Sequence, residues 1–181
     1  MFKNICLIGL PHSGKTRLGK LLSQRLYKGF IDTDKMIENN YKLSIPELVK
    51  VNTPHEFLHK ENKIIESINC ENTVISTGGS AIYNDKAMKH VKENLSCDMV
   101  HLYISFDEWI RRMKTFEERG IININDVSMV EFYEDRIFHC EKYKDIQIDI
   151  TNSEIDCHKI IQELESIDIK RIISGVQDYC I

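Results

Sequence analysis

The chain alternates short apolar runs with longer stretches in which apolar residues recur every three or four positions. The runs at 4–9, 29–32, 73–77, 99–104 and 146–150 carry β-branched or aromatic apolar residues and are too short for helices, so strands are expected there. Between the first two, "RLGKLLSQRL" puts Leu18, Leu21, Leu22 and Leu26 on one helical face. Strands that alternate with helices imply an α/β protein with a mainly parallel sheet covered on both faces. The stretch 116–127, "FEERGIININDV", has no clean period and carries charge and Gly, which predicts a mobile loop inside one domain spanning 1–181. The closing "IKRIISGVQDYCI" fits either one more helical turn or an irregular tail.

The first strand runs into "GLPHSGKT", a G-x-x-x-x-G-K-[ST] pattern, and the Leu-striped helix follows it. In a loop of this kind the backbone N–H groups of Pro11's successors point inward and the helix N-terminus adds partial positive charge. Residues Pro11, His12, Ser13, Gly14, Lys15, Thr16 and Arg17 are therefore the candidate nucleotide cradle, with Lys15 reaching the terminal phosphates and Thr16 ligating Mg²⁺. A plain turn containing Gly and Lys is the alternative, but chance gives no reason for it to sit between a strand and a helix.

At 181 residues the chain can bury a full core, and its formal charge of −4 lacks the basic footprint of a nucleic-acid binder. A local positive pocket still allows a small anionic ligand. The six cysteines contain no C-x-x-C pair, so neither a zinc site nor a redox motif is indicated. With no signal peptide and no apolar run of transmembrane length, a cytoplasmic protein with reduced thiols and no membrane partner is expected. The seven histidines show no ligand spacing.

Three further places carry chemistry. In "FIDTDKMIE", Asp32 and Asp34 stand two apart at a strand end, and i, i+2 residues of a strand share a face, so both carboxylates are expected to converge on the phosphate loop. One carboxylate suits Mg²⁺ beside the loop hydroxyl and the other suits the proton of an attacking hydroxyl; the structural alternative is that Asp34 caps the helix that follows. In "VISTGGSAIY", Gly78 and Gly79 at a strand end allow backbone to approach a ligand closely, or make an ordinary turn. Of the arginines at 111, 112, 119 and 136, Arg119 lies in the expected mobile loop, where a lid brings charge to a phosphoryl-transfer transition state.

"GLPHSGKT", "DTD", "TGG" and the Arg of "YEDRIFHCEKY" occur in the order and approximate spacing of the shikimate kinase family, which the chain resembles over about 1–165. The resemblance implies a three-layer P-loop kinase fold with a five-stranded parallel sheet, a substrate-binding helical region at about 34–70 and a lid at about 116–127 that closes over ATP. It implies that Lys15 stabilises the transferring phosphate and that Thr16 and Asp32 hold Mg²⁺. It further implies that Asp34 binds the acceptor hydroxyl, that Gly79, with its neighbour Gly78, contacts the substrate through backbone, and that Arg136 pairs with the substrate's carboxylate. Arg119 becomes the lid arginine, and Arg112 lies near the adenine.

The acceptor half departs from the family pattern. The family's F-R-x-x-E reads "FLHKE" here, with Leu58 at the Arg position, and the third glycine is Ser80. Losing one charge-assisted bond to a carboxylate costs about 1.5–3 kcal/mol. His59 and Lys60 point about 100° away on a helix and are expected at the surface. The lid reads "ERGII" where Arg-Pro is common. The function expected is ATP- and Mg²⁺-dependent phosphorylation of a hydroxyl on a small carboxylate-bearing metabolite, shikimate first, by a monomer. The alternatives are another hydroxy acid or hydroxy amino acid, or a non-catalytic nucleotide-binding regulatory protein.

Overall fold

The computed structural model describes residues 3–114, 127–151, 160–162 and 166. In chain order it contains β1 (Asn4–Ile8), α1 (Lys15–Arg25), β2 (Gly29–Asp32), α2 (Thr33–Tyr41), α3 (Ile45–Val51), α4 (Pro54–Glu66) and β3 (Thr73–Ser76). A 3₁₀ turn (Ala81–Tyr83) leads into α5 (Asp85–Lys89), which runs on into a π-helical turn (His90–Asn94). β4 (Cys97–Tyr103), α6 (Phe106–Lys114), α7 (Met129–Tyr143) and β5 (Ile146–Asp149) complete the described elements. The sheet has the order β2-β3-β1-β4-β5, and every neighbouring pair is parallel. This is the five-stranded parallel sheet flanked by helices that the sequence predicts.

The inner strands β3, β1 and β4 are buried along nearly their whole length because both faces of the sheet are covered there, whereas edge strand β2 is half-buried to exposed and β5 alternates buried Ile146 and Ile148 with exposed Gln147 and Asp149. Along β1, Ile5 and Leu7 join Val74, Val100, Leu102, Leu18, Leu22 and Trp109 on one side. Cys6 and Ile8 point the other way, toward Ile65, Ile75, Met88 and Met99. Strand limits differ from expectation by a residue or two. β1 stops at Ile8 because Gly9 turns to φ 146, where a Cβ would meet the Leu102 carbonyl oxygen at 2.8 Å. β4 starts earlier than expected, at Cys97, which pairs with Asn4.

The segment expected to bind substrate folds as α2, α3 and α4 around its own small cluster of Ile37, Leu48, Phe57 and Ile64. Reciprocal capping boxes, Ser44 with Glu47 and Thr53 with Glu56, start α3 and α4 and separate three short helices rather than one long one. Because every strand is parallel, the loops after β1, β2 and β3 leave from one edge of the sheet, and it is there that the candidate residues meet. Among the described residues, no helix is long and apolar enough to cross a membrane, and Cys6, Cys70, Cys97 and Cys140 are free thiols.

His101 on β4 is fully buried, and neither ring nitrogen has a hydrogen-bond partner among the described residues. Burial lowers its pKa to about 4, outweighing Glu141, whose carboxylate lies 3.6 Å away and favours the charged ring. The unfolded chain therefore binds a proton that the folded chain refuses between about pH 6.5 and 4, and stability is lost as pH falls through that window. The loss amounts to roughly 3 kcal/mol at its limit. Urea unfolding of His101→Leu, followed from pH 7 to 4.5, is expected to show a shallower decline than the parent; an unchanged decline assigns the acid sensitivity elsewhere.

Candidate active site

α1 begins at Lys15, directly after Gly14, which caps it in a left-handed conformation at φ 91. The buried Lys15 turns its ammonium back into the loop, donating to the carbonyl oxygens of Gly9 (2.9 Å) and Leu10 (2.8 Å) and reaching Ser13 Oγ at 3.5 Å. Burial lowers its pKa to about 8, and Asp34 acts in the opposite direction. His12 is held at φ 63. A non-glycine residue in the left-handed region costs on the order of 1–2 kcal/mol, so the rest of the loop must impose that conformation. Part of that restraint comes from Trp109 of α6, whose Nε1 donates to the Pro11 carbonyl at 3.0 Å. Ser13 is buried and Arg17 exposed.

Asp32 and Asp34 do not share a strand face. Asp32 ends β2 and Asp34 already lies in the first turn of α2, so helix geometry, not strand alternation, sets their directions. The cap is Asp32 rather than Asp34: its Oδ1 accepts from the Lys35 backbone at 3.2 Å. Its other oxygen, Oδ2, accepts from Thr16 Oγ1 at 2.8 Å, and Ser76 Oγ is 3.5 Å from the same hydroxyl. A carboxylate beside a loop hydroxyl is a hard oxygen donor set of the kind Mg²⁺ takes.

Asp34 faces the loop after β3. A Cβ placed on Gly78 would lie 2.7 Å from Asp34 Oδ1 and 2.5 Å from Glu61 Oε1, so a larger residue there would have to displace both carboxyl groups. At Gly79 the Cβ would meet the Pro11 ring at 2.8 Å. The glycine pair therefore packs the acceptor loop directly on the phosphate loop. Asp34's pKa rises to about 6, through burial first and then Asp32.

Arg136 of α7, only 1% exposed, donates from Nε to the Gly79 carbonyl (3.3 Å) and from Nη1 to Tyr83 Oη (3.1 Å). Its guanidinium carbon lies 3.6 Å from the centre of the Phe132 ring, and Tyr83 Oη in turn donates to Asp135 at 2.6 Å. Phe132 stacks on Trp109 with ring centres 5.6 Å apart. Pro11, Trp109, Phe132, Arg136 and Gly79 thus close a circuit of contacts between the two halves of the site.

Not every residue singled out from sequence joins this cluster. Arg112, expected near the adenine, sits on α6 with Nε on Glu108 (2.8 Å) and an Nη2 bond to the Ile150 carbonyl (3.2 Å). Arg119 and the lid stretch 116–126 lie outside the described residues. Leu58 is half-buried and His59 exposed; Lys60, expected at the surface, is half-buried over the Tyr41 ring, 4.9 Å from its centre. Sequence reasoning gave no role to Glu61, Trp109, Phe132 or Tyr83. For Glu61 two signals existed: it is the Glu of the F-R-x-x-E pattern that reads "FLHKE" here, and it occupies the i+4 place of the apolar stripe Phe57, Ile64, Ile65 on α4.

Comparison with known proteins gives this geometry its setting. The family profile described as shikimate kinase matches residues 11–165. A shikimate kinase of Clostridium botulinum (strain ATCC 19397 / Type A) is 40% identical over 145 residues, covering 77% of this chain and 84% of its own. That of strain Okra / Type B1 is 38% identical over 164 residues, covering 88% and 95%. Among solved structures, shikimate kinase from Aquifex aeolicus superposes with a TM-score of 0.72 at 28% identity over 89% of this chain and 93% of its own. The Acinetobacter baumannii shikimate kinase, solved in complex with shikimate, gives a TM-score of 0.76 at 20% identity, a likeness of fold, over 94% and 95%. The glycine loop, the DTD pair and the buried arginine thus stand in a chain that belongs to the shikimate kinase family.

Proposed function

We propose that the protein transfers the γ-phosphoryl group of ATP to a hydroxyl of shikimate, giving shikimate 3-phosphate, as a cytoplasmic monomer. The observation that carries this reading is the placing of Asp34 and Arg136 on either side of a glycine pair that rests on the phosphate loop. Phosphoryl transfer asks for position and charge rather than covalent chemistry from the protein. Lys15, held over the loop carbonyls, is poised to swing onto the transferring phosphate's oxygens. Asp34 orients the acceptor hydroxyl and takes its proton. Arg136, stacked on Phe132 and tied to Tyr83, is an immobile cation for the acceptor's carboxylate. Thr16 and Asp32 are the residues that hold Mg²⁺, which when bound offsets charge on the phosphate oxygens. In this reading Arg119 is the lid cation and Arg112 borders the base.

The test is ADP release by the purified protein with Mg-ATP, with and without shikimate, and then with a panel of hydroxy acids and hydroxy amino acids. Turnover that depends on shikimate is expected. Arg136→Met should raise KM for the acceptor about tenfold to a hundredfold, the loss of one charge-assisted bond, and leave KM for ATP within a few-fold. Leu58, half-buried where the family carries its second arginine, favours a second reading in which the acceptor differs. Response to another panel member but not to shikimate establishes that reading, and ATP binding with no acceptor-dependent turnover points to a regulatory protein.

A further inference from the structure

Two nitrogens of the buried Arg136 guanidinium donate to one short stretch of chain, Nε to the Gly79 carbonyl at 3.3 Å and Nη1 to Tyr83 Oη at 3.1 Å. The 3₁₀ turn Ala81–Tyr83, closed by the Tyr83 amide on the Ser80 carbonyl at 3.1 Å, sets the spacing of those two acceptors. Bonds from two nitrogens of a planar fork fix its rotation, and the Phe132 ring, 3.6 Å from the guanidinium carbon, covers one of its faces. The Tyr83 hydroxyl is itself oriented. Its single hydrogen goes to Asp135 Oδ2 at 2.6 Å, so toward Arg136 it presents oxygen alone. Hydrogen bonds in series polarise one another, so a phenol that donates to a carboxylate is a stronger acceptor for the guanidinium.

Asp135 precedes Arg136 on α7, and adjacent side chains of a helix point about 100° apart and do not face each other. Tyr83, arriving from the turn after β3, spans that gap. We propose that Tyr83 and Asp135 are positioning residues for recognition of the acceptor's anionic group: Asp135 holds the hydrogen of Tyr83, and Tyr83 holds Nη1 of Arg136, so that the guanidinium meets the acceptor in one fixed orientation. The hydroxyl carries this role and the ring does not. A phenylalanine at the same place keeps the edge contact with the His139 ring, whose centre is 4.9 Å away, and the stacking near Arg136, whose guanidinium carbon is 5.0 Å from the Tyr83 ring centre.

This inference rests on Arg136 as the cation for the acceptor, so its test has one arm that needs no turnover. Heteronuclear NMR of the arginine guanidinium groups in the whole protein, with the Arg136 signals assigned by their absence from Arg136→Met, reads rotation about the Nε–Cζ bond. Tyr83→Phe should speed that rotation about tenfold, the scale of one hydrogen bond to a charged group. Asp135→Ala should speed it less, and Asp135→Asn, whose amide carbonyl can still accept the Tyr83 hydrogen, should restore the parent's rate. An unchanged rate in Tyr83→Phe overturns the proposal whatever the acceptor proves to be. In the kinetic arm, with shikimate, Tyr83→Phe should raise KM for the acceptor about tenfold and leave KM for ATP within a few-fold. Added to Arg136→Met, the same change should raise KM no further, because the hydroxyl acts only through that cation. The two readings fail separately: KM unmoved in Arg136→Met removes Arg136 from the acceptor site, whereas KM raised in Arg136→Met but unmoved in Tyr83→Phe, or raised additively in the double variant, refutes the positioning role alone.

Discussion

Lys15→Ala is expected to lower kcat by about three orders of magnitude, the scale set by removing a cation that meets charge as it develops on a transferring phosphoryl group, while the protein still folds. Both halves of this result follow from where the ammonium sits. Nζ is bonded to the Gly9 and Leu10 carbonyls and is otherwise buried, a cation held inside the glycine loop. Its removal leaves two carbonyl oxygens without that donor, a cost of about 1–3 kcal/mol, small against a typical folding free energy of about 5–15 kcal/mol. Circular dichroism and a melting curve check the fold, and coupled ADP release checks the rate. Substantial turnover in the folded variant would remove Lys15 from the chemistry.

Asp34→Asn separates acceptor chemistry from nucleotide binding. The amide has the shape of the carboxylate and cannot take a proton, so kcat is expected to fall about 10²- to 10⁴-fold, the range for a lost general base. Asp34 is not the residue that bonds Thr16, nor the one that caps α2; Asp32 does both. ATP affinity measured by equilibrium dialysis should therefore stay within a few-fold. If affinity and rate fall together, Asp34 is part of the nucleotide half and the acceptor must be oriented by another group.

Much of the fold was legible because the inner strands β3, β1 and β4, buried on both faces, leave short apolar runs in the sequence, and the edge strands β2 and β5 keep enough of the same pattern to be found. The glycine loop was legible for a related reason, since Gly14 at φ 91 admits few other residues. What sequence could not give is direction. The i, i+2 spacing of Asp32 and Asp34 read as a shared strand face, but β2 ends at Asp32 and the turn into α2 sends the two carboxylates to different partners. Glu61 received no role from sequence because burial depends on what packs on α4, and Ser80 and Gly78 are distant in sequence. Arg112 was placed by resemblance alone, and its bonds to Glu108 and Ile150 depend on where α6 meets the end of β5.

The bond from Trp109 to Pro11 has a use of its own. The chain has a single tryptophan, so its emission carries no contribution from any other indole. That indole is hydrogen-bonded to the loop that would cradle phosphate and stacked on the ring that supports Arg136. The native protein thus contains a fluorophore wired to both halves of its site, and titrations of nucleotide and of acceptor can be read optically, separately and in either order, without a label.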